Sequence, residues 1–334
     1  MANIVFSEAS GVTDSIFGKS QAPIRRFIEK RGEAFEQESV VKKIFSMEKS
    51  NHFAEKFTSL TAMEGFQVVG ENGAYPTDGM EEGYSKLLEA VEWKDSFAIS
   101  KKLVEDSKDI DLRRRPGAFV TAYYRTREKF GAALLGNAIQ GNASVRFGGG
   151  SFGLKSSDNK NLFATDHPAK VKGAAQCNLW SDAFSDDALG MMEAKMQNTR
   201  GDNNEILDVA PDTILIPNIH SLKKAVFGAI GADKEPLTAN NAFNYQFGRW
   251  NVIVWNYLNQ FITSGTAPWV LLDSRYNEDY GTLIWLDRVA LEVSSKIDDN
   301  TDANVWRGRA RFTAGFHDWR GIAVGGVAAG SALS

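Results

Sequence analysis

Two histidines that each lie beside an aspartate are the residues best placed to do chemistry. His167 follows Asp166 in the motif TDHP, and His317 precedes Asp318 in the motif HDWRG. A paired histidine and aspartate can act in general acid–base catalysis when the fold brings them together. Both aspartates also suit structural roles, Asp166 in a turn or cap and Asp318 as a partner of Arg320 or of a backbone amide. The sequence favours the structural role for both pairs.

No motif in the sequence specifies a cofactor, a metal ion or a nucleophilic serine. The histidines are far apart in the chain, and the patterns HExxH, CxxC and GxSxG are absent. The stretch GVTDSIFGKS ends like a phosphate-binding loop, but six residues separate Gly11 from Gly18, whereas that loop has four. Gly148–Gly150 precede Ser151 rather than a lysine, which predicts a turn between short strands. We therefore expect no catalytic site, no cofactor and no metal.

Composition and charge narrow the class of protein. The 334 residues are 43% hydrophobic and 24% charged, as in an ordinary globular protein. A net charge of −4 argues against a dedicated nucleic-acid binder, because such proteins neutralise phosphates with clustered Lys and Arg. It is compatible with a surface that lies close to nucleic acid without adhering to it. Cys177 is the only cysteine, so a reducing compartment is expected, and neither a secretory signal nor a membrane span is evident.

The elements needed to position any site begin with helix and then change to strand. Residues 22–45 have the apolar spacing of one or two amphipathic helices. Residues 55–69 and 84–100 alternate like strands and flank the turn-rich stretch GENGAYPTDGMEEG, which predicts a hairpin of about 45 residues. A two-stranded hairpin alone is marginal in water. A binding partner, with a copy of the same chain as the simplest choice, would supply its apolar cover.

A long helix is predicted next. Residues 116–140 carry an apolar stripe at helical spacing, interrupted by Arg127, and Pro116 suits the first turn. Arg113–Arg115 precede it, and positive charge is unfavourable at a helix N-terminus. These arginines are either solvated or paired with carboxylates of a neighbouring subunit.

The second half of the chain reads as alternating helix and strand. The predicted helix SDDALGMMEAKMQNT has Ser185 or Asp186 as its N-cap, and the strand DTILIPN ends at Pro217. The helix IHSLKKAVFGAI follows, and four further strand segments are predicted after it. These are WNVIVWNYL, APWVLLDS, TLIWLDRVALEVSS and RARFTAGFHDWRGIAVGG.

The order of these elements resembles one known family. The segments FAISKKLVEDS, TREKFGAALLGNA, ILIPN, WVLLD and RARFTAGFHDWRG follow each other as in the major capsid, or major head, protein of tailed bacteriophages, and most closely as in Mu-type head subunits. The likeness covers nearly all of the chain from about residue 50. Each motif is short, so the specificity lies in their order and spacing.

The resemblance implies an α+β capsid fold and a structural role rather than an enzymatic one. The implied parts are an N-terminal arm (1–54), an extended hairpin loop (55–100), a peripheral domain with the spine helix (101–180), an axial domain (181–285), peripheral strands (286–320) and an axial strand with the C-terminal tail (321–334). Copies would assemble in the host cytoplasm as pentamers and hexamers of the icosahedral head shell. The chain would then be a virion component that encloses double-stranded DNA without sequence-specific binding and without a membrane.

Partners and contacts follow from the same resemblance. The start of the chain lacks a long charged helical region, so a separate scaffolding protein is expected, together with a portal. The candidate contacts between subunits are Tyr75, Pro76, Glu81, Glu82, Arg113, Arg114 and Arg115. Two alternatives remain open, an encapsulin-like compartment and, from a different class, a cytosolic hydrolase that uses His167 or His317.

Overall fold

The computed structural model has the mixed α+β architecture that the sequence predicts. It describes residues 4–6, 30–60, 68, 75, 82–100, 102, 109–231, 244–263, 266–298, 300–301 and 303–333. Within this part of the chain, no helix has the length and apolarity needed to cross a membrane.

One helix is much longer than the others. The α-helices are α1 (30–38), α2 (Val41–Ile44), α3 (Asp109–Ile139), α4 (Asp186–Gln197), α5 (His220–Ile230) and α6 (Ser274–Tyr280), and a 3-10 helix covers Asn256–Gln260. Ser185 caps α4 as predicted, since its side chain accepts a hydrogen bond from the Ala188 N–H at 3.1 Å.

The larger of the two main sheets is built around a long antiparallel pair, β11 (Leu283–Asp298) and β12 (Ala303–Phe316). β5 (Val91–Ile99) extends this sheet beside β12, while β1 (Ile4–Phe6) and β2 (Ser46–Lys49) both pair in parallel with β11. The register between β11 and β12 shifts near the middle, which marks a bulge and increases the local twist.

The second sheet has the order β13-β10-β8-β9. Its strands are β8 (Thr213–Pro217), β9 (Asn251–Trp255), β10 (Trp269–Leu272) and β13 (Ile322–Gly325). β8 and β9 are parallel and α5 lies between them in sequence, which is the crossover that parallel strands require. β10 runs antiparallel to both of its neighbours, β8 and β13.

The core sits where α3 meets both sheets. Phe130 of α3, Trp285 of β11 and Phe312 of β12 are fully buried, with ring centroids 5.3 to 6.1 Å apart. Along β8, Ile214 and Ile216 face a second cluster with α4 and α5, whereas Leu215 faces the core that contains α3. The second sheet is therefore covered on both faces, which explains the uninterrupted apolar run of β8.

The long helix begins earlier than the sequence predicts. α3 starts at Asp109, so Pro116 lies inside the helix rather than in its first turn. Proline has no N–H to donate there, and the packing of the helix outweighs that lost bond. Arg113–Arg115 accordingly lie within α3 and not ahead of it. The short helix expected over KKLVEDSKD falls, apart from Lys102 and Asp109, outside the described residues.

The predicted hairpin over 55–100 is wrong in its second strand. β3 (Ala54–Leu60) pairs with β4 (Glu82–Glu89), whereas Val91–Ile99 leaves the hairpin and joins β12. Both segments alternate in the same way, and alternation identifies a strand without naming its partner. The strand expected at FQVV lies, apart from Val68, outside the described residues. The predicted turn at Gly148–Gly150 is confirmed, because it joins β6 (Ser144–Phe147) to β7 (Gly150–Gly153) and has positive φ at Gly148 and Gly149.

Candidate functional site

The two histidine motifs meet in the fold, but not as the pairs that catalysis would need. The rings of His167 and Trp319 are stacked with centroids 4.2 Å apart. His167 places Nδ1 2.6 Å from Asp158 Oδ2 and Nε2 3.1 Å from Asn178 Oδ1. Its sequence neighbour Asp166 instead forms an exposed ion pair with Lys160.

Both ring nitrogens of His167 are engaged in hydrogen bonds inside the protein. The side-chain amide of Asn178 donates to three backbone carbonyls, so its oxygen accepts from Nε2 of His167. Nδ1 of His167 pairs with the Asp158 carboxyl group. Burial opposes ionisation of Asp158, yet hydrogen bonds from His167 and Ser156 hold the pKa of Asp158 below its ordinary value.

This arrangement does not support catalysis at His167. A general base must reach the proton that it abstracts, and both ring nitrogens of His167 are already bonded within the protein. The nearby hydroxyl of Ser156 donates to Asp158 rather than to the ring. His167 is also fully buried. The Asp158–His167–Asn178 chain instead fastens residues 156–178 to the loop after β12, which contributes Trp319.

The second motif forms a buried ion network. Arg320 bonds to Asp202 at 2.8 Å and to Asp318 at 3.2 Å, and all three side chains are buried. Tyr276 donates to Asp318 at 2.9 Å, and burial followed by the charge of Asp318 raises the pKa of Tyr276. The structural role predicted for Asp318 is confirmed, because it is the partner of Arg320.

The base of the β3–β4 hairpin is attached to the body of its own chain. Leu88 packs with Ile284 and Leu286. Gly315 allows this approach, because a Cβ placed there would lie 2.5 Å from Leu88. The Lys86 ammonium donates to the Lys155 carbonyl at 2.8 Å. A second lysine holds the hairpin further out, since the Lys170 ammonium donates to the Glu82 and Gly83 carbonyls. Part of the apolar cover expected from another copy is thus supplied within the chain.

A cleft of about 840 Å³ separates α1 and α2 from the middle of α3 and the start of the 3-10 helix. Glu128 of α3 bridges two of its walls, accepting from the Ser39 hydroxyl and the Val41 N–H on one side and from the Trp255 indole at 3.1 Å on the other. None of the residues that line the cleft is a histidine. This cleft therefore does not hold the residues proposed for the hydrolase alternative.

Arg127, which interrupts the apolar stripe of α3, lines the same cleft. It makes two hydrogen bonds to Asp287, at 2.8 and 2.9 Å. Its guanidinium lies 4.7 Å from the ring centroid of Trp285 and 5.1 Å from that of Phe312. The charge is thus paired and stacked between aromatic rings, the use for which arginine is better suited than lysine. The sequence detected the interruption but not the partner, which is 160 residues away.

The candidate contacts between subunits are only partly visible. Tyr75 is 96% exposed, and Glu82, the first residue of β4, is exposed as well. Arg113–Arg115 lie in α3, but their side chains, like Pro76 and Glu81, are outside the described residues. The structure of the single chain therefore does not test whether these residues meet between subunits.

Comparison with known proteins places this fold. The profile of the family described as phage capsid protein matches residues 83–325, which is most of the chain. The chain belongs to this family. It is a major capsid protein, whose copies build the shell of the phage head, and its place is in the virion. No curated protein sequence matches the chain.

Solved structures agree at the level of the fold. The capsid of Ralstonia phage GP4 aligns with a TM-score of 0.55 at 11% identity, over 86% of this chain and 90% of that one. The capsid of cyanophage P-SCSP1u gives 0.52 at 7% identity, over 86% and 87%. A chain from Mycobacterium phage Patience gives 0.50 at 12% identity, over 100% and 95%. The Mu-type subgroup stays a prediction.

Proposed function

We propose how the parts of this capsid protein divide the work of building the shell. The proposed parts are an N-terminal arm (1–54), an extended loop (55–89), a peripheral domain formed by α3 with the large sheet, and an axial domain formed by the second sheet with α4 and α5. The return of β13 to the second sheet supports an axial assignment for residues 321–334. β5 moves from the extended loop to the peripheral domain, because it pairs with β12.

The observation that carries the proposal is the one-sided attachment of the hairpin. Its base is held by Leu88, Lys86 and Lys170, while Leu87 on the outer face is 57% exposed. An isolated two-stranded ribbon is marginal, so the remaining length gains from a second surface. In a shell of identical copies, that surface is the neighbouring subunit.

Charge supports a specific contact for the hairpin tip. Residues 70–83 contain four acids and no Lys or Arg, whereas Arg113–Arg115 form a run of three positive charges. We propose that the acidic tip, with Tyr75, Pro76, Glu81 and Glu82, lies against Arg113–Arg115 of an adjacent subunit. Opposite charges on facing surfaces set orientation and register more than they set affinity.

Deletion of residues 72–82 tests the role of the hairpin. The variant should keep a folded body, because Leu88, Lys86 and the Gly83 carbonyl, which hold the base of the hairpin, lie outside the deletion. It should fail to complete shells, as seen by negative-stain electron microscopy with light scattering. An alanine-rich replacement of the same length that keeps Tyr75, Pro76, Glu81 and Glu82 is the matched control. Normal particles from the deletion would contradict the proposed role.

The remaining partners are part of the proposal. We infer pentamers and hexamers of the chain, a separate scaffolding protein, a portal, and enclosed double-stranded DNA that the mildly acidic shell wall does not bind by sequence. We also infer that the chain is not an enzyme, in keeping with the burial of His167 and the engagement of both of its ring nitrogens. Head genes encoded next to this one, for terminase, portal and tail, would separate a phage head from an encapsulin-like compartment.

A further inference from the structure

His317 is a buried histidine directly beneath the hairpin. It follows the last residue of β12 and is 3% exposed. Its backbone N–H donates to the backbone carbonyl of Thr282 at 3.2 Å. Its backbone carbonyl accepts from the Ser157 backbone N–H at 3.0 Å and from the Ser157 hydroxyl at 2.7 Å. Because the backbone is fixed on both sides, the ring has little freedom to leave its site.

The ring itself is poorly satisfied. Nδ1 is buried and has no hydrogen-bond partner among the described residues. The nearest aromatic ring is that of Phe57 on β3, with centroids 6.3 Å apart. A neutral imidazole tolerates this setting at a modest cost, but a protonated one would carry both an unsatisfied N–H and a buried charge.

The charges that act on His317 come from two elements. Lys86 on β4 and Arg320 in its own loop are positive, and Asp318 is negative but already bonded to Arg320 and Tyr276. Lys155 lies beside Lys86 and adds no compensating charge. The contacts from β3, from the loop at Ser157 and from Thr282 are uncharged.

These contributions make protonation of the docked state unfavourable. Burial lowers the pKa of His317; Asp318 opposes that effect, and Arg320 and Lys86 add to it. In the docked state, the base of the β3–β4 hairpin is held against the body of the subunit. Because the pKa of His317 is lower when the hairpin is docked, the neutral ring stabilises docking above the ordinary histidine pKa of about 6.5. That stabilisation is lost as the pH falls.

We propose that His317 is an acid-sensitive latch for the hairpin. Protonating the ring places a new positive charge beside Lys86 and Arg320 and weakens the attachment of Phe57, Lys86 and Leu88 to the body of the subunit. The latch is a property of one subunit. Its consequence, a hairpin free to rearrange against a neighbour in mildly acidic solution, rests on the proposed function of the hairpin.

Hydrogen exchange of the purified full chain tests the latch. Exchange is measured at pH 7.5 and pH 5.5 and corrected for the intrinsic rate at each pH. We expect the amides of 54–58 and 85–89 to open about tenfold more at pH 5.5, the limit for one histidine of ordinary pKa when undocked. Amides of α4 are the internal reference and should not change. Equal protection of the hairpin at both pH values would overturn the proposal.

Matched variants assign the effect to His317. His317→Gln should remove the pH response, and His220→Gln, which changes an exposed histidine on α5, should keep it. Lys86→Met removes one repelling charge, so the midpoint of the response should move to higher pH. A response that survives in His317→Gln would overturn the latch. If that variant does not fold, an unchanged midpoint in Lys86→Met would overturn it instead.

The two proposals fail separately. If the hairpin responds to pH but the deletion of 72–82 still forms normal particles, the latch stands and the role of the hairpin in assembly is rejected. If the deletion blocks assembly but the hairpin shows no response to pH, the assembly role stands and the latch is rejected.

Discussion

At the scale of single residues, two arginines of this capsid protein are paired with aspartates. Arg127 pairs with Asp287, and Arg320 pairs with Asp202 and Asp318. Removing one partner of a buried pair is costly because the other charge stays behind without compensation. A subunit of a large assembly needs a well-defined fold, because a distorted subunit would misplace its contacts with every neighbour.

Arg127→Met should destabilise the subunit by about 2 kcal/mol, because a hydrogen bond to a charged group contributes about 1.5–3 kcal/mol and the Asp287 side chain is 27% exposed. The loss has two parts, the unpaired carboxylate of Asp287 and the lost stacking on Trp285 and Phe312. Urea unfolding of the purified subunit measures it. Arg125→Met, which changes an exposed arginine on the same helix, is the control and should lie within about 0.5 kcal/mol of the parent.

The double variant Arg127→Met with Asp287→Asn separates the two parts. It should recover a portion of the lost stability, because no carboxylate then lacks its partner. A double variant as unstable as the sum of both single changes would show that the aromatic stacking, and not the ion pair, dominates at this site.

At the scale of elements, local chemistry was predictable and the pairing of distant strands was not. The cap at Ser185, the strand ending at Pro217 and the turn at Gly148–Gly150 each depend on a few adjacent residues, and all three are confirmed. β5 shows the limit, since its partner β12 lies more than 200 residues further along the chain. Nothing within a single strand encodes that distance.

The candidate site shows the same division. Asp318 beside Arg320 is a local pair and was predicted, whereas Asp158 and Asn178 on either side of His167 were missed. They lie nine and eleven residues from His167 in irregular segments, where no periodic pattern links one residue to another. A signal was present only in the abundance of Asn, Asp and Ser through 156–178, which indicates loops without naming contacts.

The contact between the hairpin tip and α3 gives a prediction at this scale. Reversing the charges in Glu81→Arg with Glu82→Arg should reduce shell formation, as should Arg113→Glu with Arg114→Glu. Combining both pairs in one chain should restore it, because the attraction is re-formed with opposite sign. Particle yield by sucrose gradient and electron microscopy, compared at low and high salt, measures the effect.

Glu278 and Asp279 offer a matched control for that experiment. They are a second adjacent acidic pair, exposed on α6, and their reversal should change neither yield nor its salt dependence. If the combined variant forms no more particles than either reversed pair alone, the tip and Arg113–Arg115 are not in contact.

At the scale of the whole molecule, assembly follows from repetition rather than from any strong single contact. A closed shell uses the same surfaces on every copy. In the proposed arrangement, arm, hairpin and axial contacts would act together on each subunit. Contacts between subunits that are weak individually give a high combined affinity when they form together. Assembly should therefore be steep in protein concentration.

The purified chain should show a threshold concentration for assembly, with subunits below it and shells, tubes or rings of pentamers and hexamers above it. Reversal of Arg113 and Arg114 should raise this threshold, because it removes one contact from each of many repeats. Light scattering across a dilution series, with negative-stain microscopy at each point, measures both values. The series is repeated with the chain co-expressed with its neighbouring head genes, so that a required scaffold is present. A uniform dimer or tetramer at every concentration in both series would contradict the pentamer and hexamer assignment, since neither state can close into the shell.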